Sequence, residues 1–281
     1  MLEQAAGLTP RALEAIAELE RRVIEADGGR LKLEWRRLRV RTGDRVEDLL
    51  WWEGDRLLGF LGLYRIDSSL ELTGMVAPDA RRRGIGTALL DAAAPLYRGL
   101  GFQETLLIVP RASGAGKRLA LRRDAVLDHS EHALLLSGSP SPGPHDPALI
   151  LRQATARDLR MISSLLELVF GQPAPADFAS RLESPDERTL VVELRGSPIG
   201  TLRLTRDGDA GRVFAFAIDP SWQGRGFGRD ALRCACQQLC AEGVSKIGLE
   251  VEVDNERALA LYTSLGFTPV TTEDYFALPL T

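Results

Sequence analysis

Cysteine is scarce in this chain. Its three cysteines, Cys234, Cys236 and Cys240, sit on one short stretch of helical pattern. An odd number placed so closely builds no disulfide framework and suits a reducing compartment. No histidine lies near them in sequence, so Cys236 and Cys240 read as small buried residues, and no metal is expected. No apolar run approaches the ~20 residues that a membrane-spanning helix needs. The N-terminus has no basic segment leading into an apolar one, which argues against a signal peptide and for a cytoplasmic protein. Positive charge is not in excess either: the net charge is -4. A protein that coats nucleic acid by bulk charge is therefore disfavoured. Lysine is nearly missing, 3 against 32 arginines, and Asn255 is the only asparagine. That bias fits high-GC coding and says little about function.

What is present is ordinary for a soluble globular protein, with 44% hydrophobic and 26% charged residues. The length of 281 residues suits two domains. The boundary falls at Ser137-Gly-Ser-Pro-Ser-Pro-Gly-Pro-His-Asp-Pro147, whose four prolines hold neither ladder nor helix. This predicts domains at 1–136 and 148–281 joined by a semi-rigid linker at 137–147. The halves share their punctuation. Pro78, Gly84, Gly86 and Gly101 precede Pro220, Gly226, Gly228 and Gly243 by 142 residues each. So long a period implies two copies of one domain. Periodicity in each half gives strands, then helix, strand, helix and strand, an α+β fold with a mixed sheet.

The most informative segment is Ala217-Ile-Asp-Pro-Ser-Trp-Gln-Gly-Arg-Gly-Phe-Gly228, a strand feeding a glycine-rich turn that opens a helix. Helix N-termini present unpaired N–H groups and the positive end of the dipole, and glycines let the backbone approach an anion closely. Arg225 and Arg229 add charge-assisted donors. The first half repeats the device from Val76 through Arg81, Arg82 and Arg83 to Gly84, Ile85 and Gly86. No Gly-Lys-Ser/Thr follows, so this is not a Walker loop, and Arg229 occupies the last glycine position of a dinucleotide fingerprint.

Gln223-Gly224-Arg225-Gly226-Phe227-Gly228 resembles the acyl-CoA-binding motif of the GNAT superfamily of N-acetyltransferases, and Arg81-Arg-Arg-Gly84-Ile-Gly86 fits the same pattern. Asn255 opens Asn-x-x-Ala-x-x-Leu-Tyr-x-x-x-Gly-Phe, which is similar to the second motif of that superfamily at every fixed position. The resemblance implies two tandem acyl-CoA N-acyltransferase (GNAT) domains with acetyl-CoA as co-substrate, an architecture known for mycothiol synthases. The run from Leu249 through Glu250 to Tyr262 also resembles the enzymes that acetylate the N-terminal amine of ribosomal proteins. By that resemblance Glu250 is the base that deprotonates the amine, and Tyr262 the acid near the thioester sulfur. Asn255 would touch pantetheine or simply cap its helix. Glu252, on the same face, is an alternative base, and Tyr262 has helical spacing that also suits core packing. A splay between the strands carrying Ile218 and Glu250 would admit pantetheine, and an N–H near Ile218 would polarise the thioester.

The offset of 142 sets Glu250 opposite Ile108, Asn255 opposite Ser113, and Tyr262 opposite Ala120. The first half thus keeps a phosphate turn and loses base and acid. A catalytic second domain and a degenerate first domain are expected. The acceptor is a primary amine, on a small molecule or a protein N-terminus. A non-catalytic acyl-CoA-binding protein is the alternative.

Overall fold

The computed structural model describes residues 1–66, 69–98, 102, 104–171, 174–175, 178–182, 184 and 187–279. Gly101 of the repeat lies outside them. Two compact units emerge: Met1–Glu131 with Val270–Thr281, and His132–Pro269.

In the first unit, β1 (Leu2–Ala5), α1 (Pro10–Asp27) and the short α2 (Trp35–Arg39) lead into β2 (Asp48–Glu53), β3 (Arg56–Ile66) and β4 (Ser69–Val76). After the turn come α3 (Ile85–Tyr97), β5 (Glu104–Pro110) and α4 (Gly114–Leu121), and then β6 (Val126–Ser137). Strands β1 to β4 pair antiparallel in chain order, and β5 joins β4 in parallel. Helix α1 starts where Thr9 accepts from the Ala12 N–H and Pro10 fixes φ. It buries Ala12, Ile16, Leu19 and Val23 at helical spacing.

The second unit repeats this order. It holds β7 (Leu149–Gln153), α5 (Leu159–Phe170), the short α6 (Phe178–Arg181), β8 (Glu187–Leu194), β9 (Ser197–Asp207) and β10 (Ala210–Ile218). Then follow α7 (Phe227–Ala241), β11 (Lys246–Glu252) and α8 (Glu256–Ser264), and the chain closes with β12 (Thr268–Ala277). Strands β7 to β10 pair antiparallel, and β11 lies parallel to β10.

The units differ from the division drawn at the linker. Strand β12 pairs with β5, Tyr275 opposite Ile108, and its Phe276 belongs to the core of the first unit. Leu134 and Leu136 of β6 belong to the core of the second. Each half of the chain thus gives its last strand to the other unit.

Candidate active site

The two turns are built alike. In the second unit a single 3-10 turn, Pro220–Trp222, leads to Gly224 at φ 74° and Gly226 at φ 89°, where α7 begins. In the first unit Pro78–Ala80 leads to Arg82 at φ 66° and Gly84 at φ 82°, where α3 begins. Arg82 therefore holds the left-handed conformation that its counterpart Gly224 adopts without steric cost. In both units the first motif residue ties the turn to the preceding strand. Gln223 Nε2 donates to the Ile218 carbonyl at 2.7 Å, and Arg81 Nε to the Val76 carbonyl at 3.3 Å.

Both turns suit an anion. Neither Gly84 nor Gly226 has a side chain capping its helix, so the first-turn N–H groups stay available. A Cβ at either glycine would meet nothing within 4 Å. Their cations differ, however. Arg81 is held by Asp27 at 2.6 and 2.9 Å, and Arg83 by Glu53 at 2.6 and 3.3 Å. Two of the three arginines expected at the first phosphate position are thus already paired. In the second unit Arg225 lies over the rings of Trp222 and Phe227, while Arg229 is exposed. Arg257 of α8 donates to Gln223 Oε1 at 3.1 Å and comes near Gly224. It was not among the site residues read from the motif, although it lies two residues past Asn255, and helix geometry is what returns it to the turn.

The expected splay is present in both units. Strand β10 pairs with β11 only from Ala210↔Lys246 to Arg212↔Gly248, and beyond that point the strands part. The Asp219 N–H donates to the Ile199 carbonyl on β9, so alternation turns the Ile218 N–H the other way, into the gap. In the first unit β4 and β5 pair from Ser69↔Glu104 to Thr73↔Ile108, and Ala77 N–H bonds Leu58 in the same manner. A cavity of about 380 Å³ opens there, lined by Arg81, Arg82 and Gly84–Gly86 of the turn, by Gly74–Val76, by Leu107–Pro110, and by Arg118 and Arg122.

The units part company outside the turn. The β9–β10 ladder shifts register between Phe214 and Ala217, with Ala215 at φ 47°: a bulge. The β3–β4 ladder runs in unbroken register from Gly59↔Val76 to Ile66↔Ser69. Asn255 caps α8 by accepting from the Ala258 N–H, and Ser113 caps α4 by accepting from the Gly116 N–H. Those caps sit 142 residues apart, so the offset is structural at this point and carries to their neighbours. Glu250, 15% exposed, receives Arg212 Nη2 at 2.9 Å. Glu252 is exposed. Tyr262 packs against Phe267, its ring centroid 6.2 Å away, and burial pushes its pKa up to about 12. Its hydroxyl has no hydrogen-bond partner among the described residues. The counterparts Ile108 and Ala120 are buried and carry no proton.

The family model for the acetyltransferase (GNAT) family matches twice, over residues 12–118 and 157–267. The chain belongs to the GNAT acetyltransferase family. It is an acetyl-CoA-dependent N-acetyltransferase with two GNAT regions in tandem. It is similar to the mycothiol acetyltransferase of Kytococcus sedentarius, with 30% identity covering 97% of this chain and 96% of the relative. The mycothiol acetyltransferase of Clavibacter michiganensis is 29% identical over 92% of this chain and 89% of its own. Among solved structures, a GCN5-related N-acetyltransferase from Sphaerobacter thermophilus superposes with a TM-score of 0.81 at 18% identity, covering 100% of this chain and 95% of that one. A tandem GNAT protein from the clavulanic acid biosynthesis pathway gives 0.69 at 16%, covering 100% and 99%. These two share the fold. The likeness to ribosomal-protein acetyltransferases expected from the Leu249–Tyr262 run finds no support among these relatives. No helix among the described residues is long and apolar enough to cross a membrane.

Proposed function

We propose that the second unit transfers the acetyl group of acetyl-CoA to the primary amine of a small molecule, and that the first unit binds CoA without catalysing. The observation that carries this reading is the asymmetry between two otherwise matching sites. Both have the turn and the parted strands, whereas a bulge, a carboxylate and a phenol occur together only in the second. Pyrophosphate would rest on the N–H groups that open α7, beside Gly224, Gly226 and Gly228, with Arg225, Arg229 and Arg257 supplying charge. Pantetheine would complete the ladder in the gap beyond Arg212, and the Ile218 N–H would polarise the thioester carbonyl.

The chemistry then follows. The acceptor arrives as an ammonium and loses a proton to Glu250, directly or through a water. Its nitrogen attacks the carbonyl carbon, the C–S bond breaks, and the electron pair leaves on sulfur. Tyr262 donates a hydrogen bond to that thiolate, and the proton shed by the tetrahedral nitrogen balances the one the thiol finally carries. A small acceptor, an amine precursor of mycothiol as the name of the mycothiol acetyltransferases suggests, is favoured by relatives that span nearly the whole chain.

The test is steady-state CoA release by the full chain with that amine, an aminoglycoside, a polyamine and a short peptide. Saturable turnover with the mycothiol-precursor amine alone is expected. Preference for the peptide would replace the acceptor. Release that no amine accelerates would favour a non-catalytic CoA-binding protein.

A further inference from the structure

We propose that the linker and α7 together form a binding site for a divalent transition-metal ion of the Zn2+ class, with His145, Asp230 and Cys234 as its protein ligands. His145 lies in the proline-rich linker, 85 residues from Asp230 in sequence. The fold closes that distance. His145 Nδ1 stands 3.3 Å from Asp230 Oδ1 and 3.7 Å from Cys234 Sγ, and all three donor atoms fall within 4.8 Å of one another. Ligands at the usual Zn–N, Zn–O and Zn–S lengths sit about 3.3 to 3.7 Å apart around a tetrahedron. Two of the three separations already match, and the third closes with a rotation of the half-exposed Cys234 side chain.

The donors are also held in place. Asp230 and Cys234 are four residues apart on α7 and so share one face. Asp230 is 6% exposed and accepts from the Asp146 N–H at 2.8 Å and from Arg233 at 3.1 Å, which orients its carboxylate as an outer shell would. Arg233 in turn donates to the carbonyls of Ser141 and Pro144, fixing the linker on either side of Gly143. His145 thus projects from a backbone that is tied down at both neighbours. One nitrogen, one carboxylate oxygen and one thiol make a borderline ligand set, which suits Zn2+ and Co2+ better than Mg2+ or Ca2+. On binding, the Cys234 thiol proton passes to solvent and His145 gives its Nδ1 lone pair. A water completes the shell. The ion would staple the linker to α7 within two turns of the glycine turn.

Co2+ titration of untagged, chelator-stripped full-length protein tests this. Only three histidines and three cysteines compete. One equivalent should produce a near-ultraviolet thiolate-to-Co2+ charge-transfer band with visible bands of a tetrahedral ion, and Zn2+ should bleach them. Cys234→Ser should abolish the charge-transfer band, Cys240→Ser should leave it intact, and His145→Ala should weaken Co2+ binding at least roughly tenfold. Zn2+ should raise the thermal midpoint of wild type and not of Cys234→Ser. A wild-type titration without a charge-transfer band would overturn the site. So would a band that survives Cys234→Ser or disappears with Cys240→Ser. All three substituted side chains are at least partly exposed, so loss of folding, checked by circular dichroism, should not intervene.

Discussion

Replacing Tyr262 by phenylalanine separates two ways in which a phenol can help a thiolate leave. Burial pushes the Tyr262 pKa up to about 12, whereas an ordinary thiol titrates near 8.5. Full proton transfer from this phenol to a free thiolate is therefore uphill by roughly 3.5 pKa units, or about 5 kcal/mol. A step that costly gains little from the transfer itself. What remains is a hydrogen bond to sulfur as its charge develops, and bonds to charged groups contribute about 1.5 to 3 kcal/mol. Tyr262→Phe should then lower kcat by roughly 10- to 150-fold, with CoA affinity unchanged. Folding should survive, because the ring keeps its contact with Phe267 and the lost hydroxyl has no partner among the described residues. The direction of the shift also sets a pH signature. A raised phenol pKa keeps the donor protonated throughout the neutral and mildly alkaline range, so kcat should show no alkaline fall between about pH 8 and 10. Stopped-time thiol release across that range, with calorimetry of CoA binding, measures both. Turnover within two- or threefold of wild type would make Tyr262 a packing residue. An alkaline fall present in wild type and lost in the variant would show that the phenol ionises far lower and transfers its proton outright.

Gly226→Glu should weaken CoA binding to the second unit by orders of magnitude, since it sets a carboxylate where pyrophosphate would rest; nothing lies within 4 Å of an added Cβ, but φ 89° strains any residue other than glycine, so folding of the variant is checked by circular dichroism. Titration of a variant already carrying Gly84→Glu isolates that unit, and unchanged affinity would remove the site. Glu250→Gln combined with Tyr262→Phe should abolish acetyl transfer while CoA binding to the first unit persists; near-normal thiol release would relocate the chemistry. Asp158→Ala should cost about 2 to 4 kcal/mol by urea unfolding, because Asp158 caps η-turn Ala156–Asp158 through Thr155 and holds Arg152 at 2.8 and 2.9 Å. Arg152 keeps that carboxyl well below the usual range, so this stability is present above about pH 4 and should fade as pH falls further.

Much of this was legible in sequence because glycine and proline have few substitutes where the backbone turns. Gly224, Gly226 and Pro220 mark a turn whose conformation the structure reproduces, and the Pro78–Gly86 copy follows at the same offset. The parted strands were expected through the family resemblance and not from local pattern, for eight residues of turn separate Ile218 from the start of α7 at Phe227. Other features left no such mark. Arg82 and Ala215 take left-handed φ without being glycine, so no residue type announces them. β1 is four residues, Leu-Glu-Gln-Ala, and exists through its pairing with β2, which local pattern does not encode. The exchange of β6 and β12 is invisible for a different reason. Neither Val126–Ser137 nor Thr268–Ala277 has a clean apolar alternation, so local pattern does not say which neighbour either strand joins. Arg257 was hidden by distance along the chain.

The bulge also explains how far the first unit stands from catalysis. The β4–β5 ladder begins at Ser69↔Glu104 and the β10–β11 ladder at Ala210↔Lys246, so the spacing within each pair differs by one residue. The repeat offset is 142 at β11, the turn and the α8 cap, but 141 along the start of β10. The extra residue falls inside the bulge, upstream of the turn, and leaves the pairing of Glu250 with Ile108 intact. It also makes Arg212, the partner of Glu250, the counterpart of Glu71 rather than Leu70. Under the proposed mechanism the first unit therefore differs at three independent places: no bulge in β4, no carboxylate at Ile108 and no phenol at Ala120. Restoring a base by Ile108→Glu would bury a carboxylate among Leu106 and Tyr275, whose hydroxyl is already engaged by Lys32 and Glu131, so packing and an existing charge network would both be disturbed. Side chains alone do not undo an insertion. The backbone of β4 would still aim its donors as an unbroken ladder does, and a binding copy built this way is stable against single-step return to chemistry.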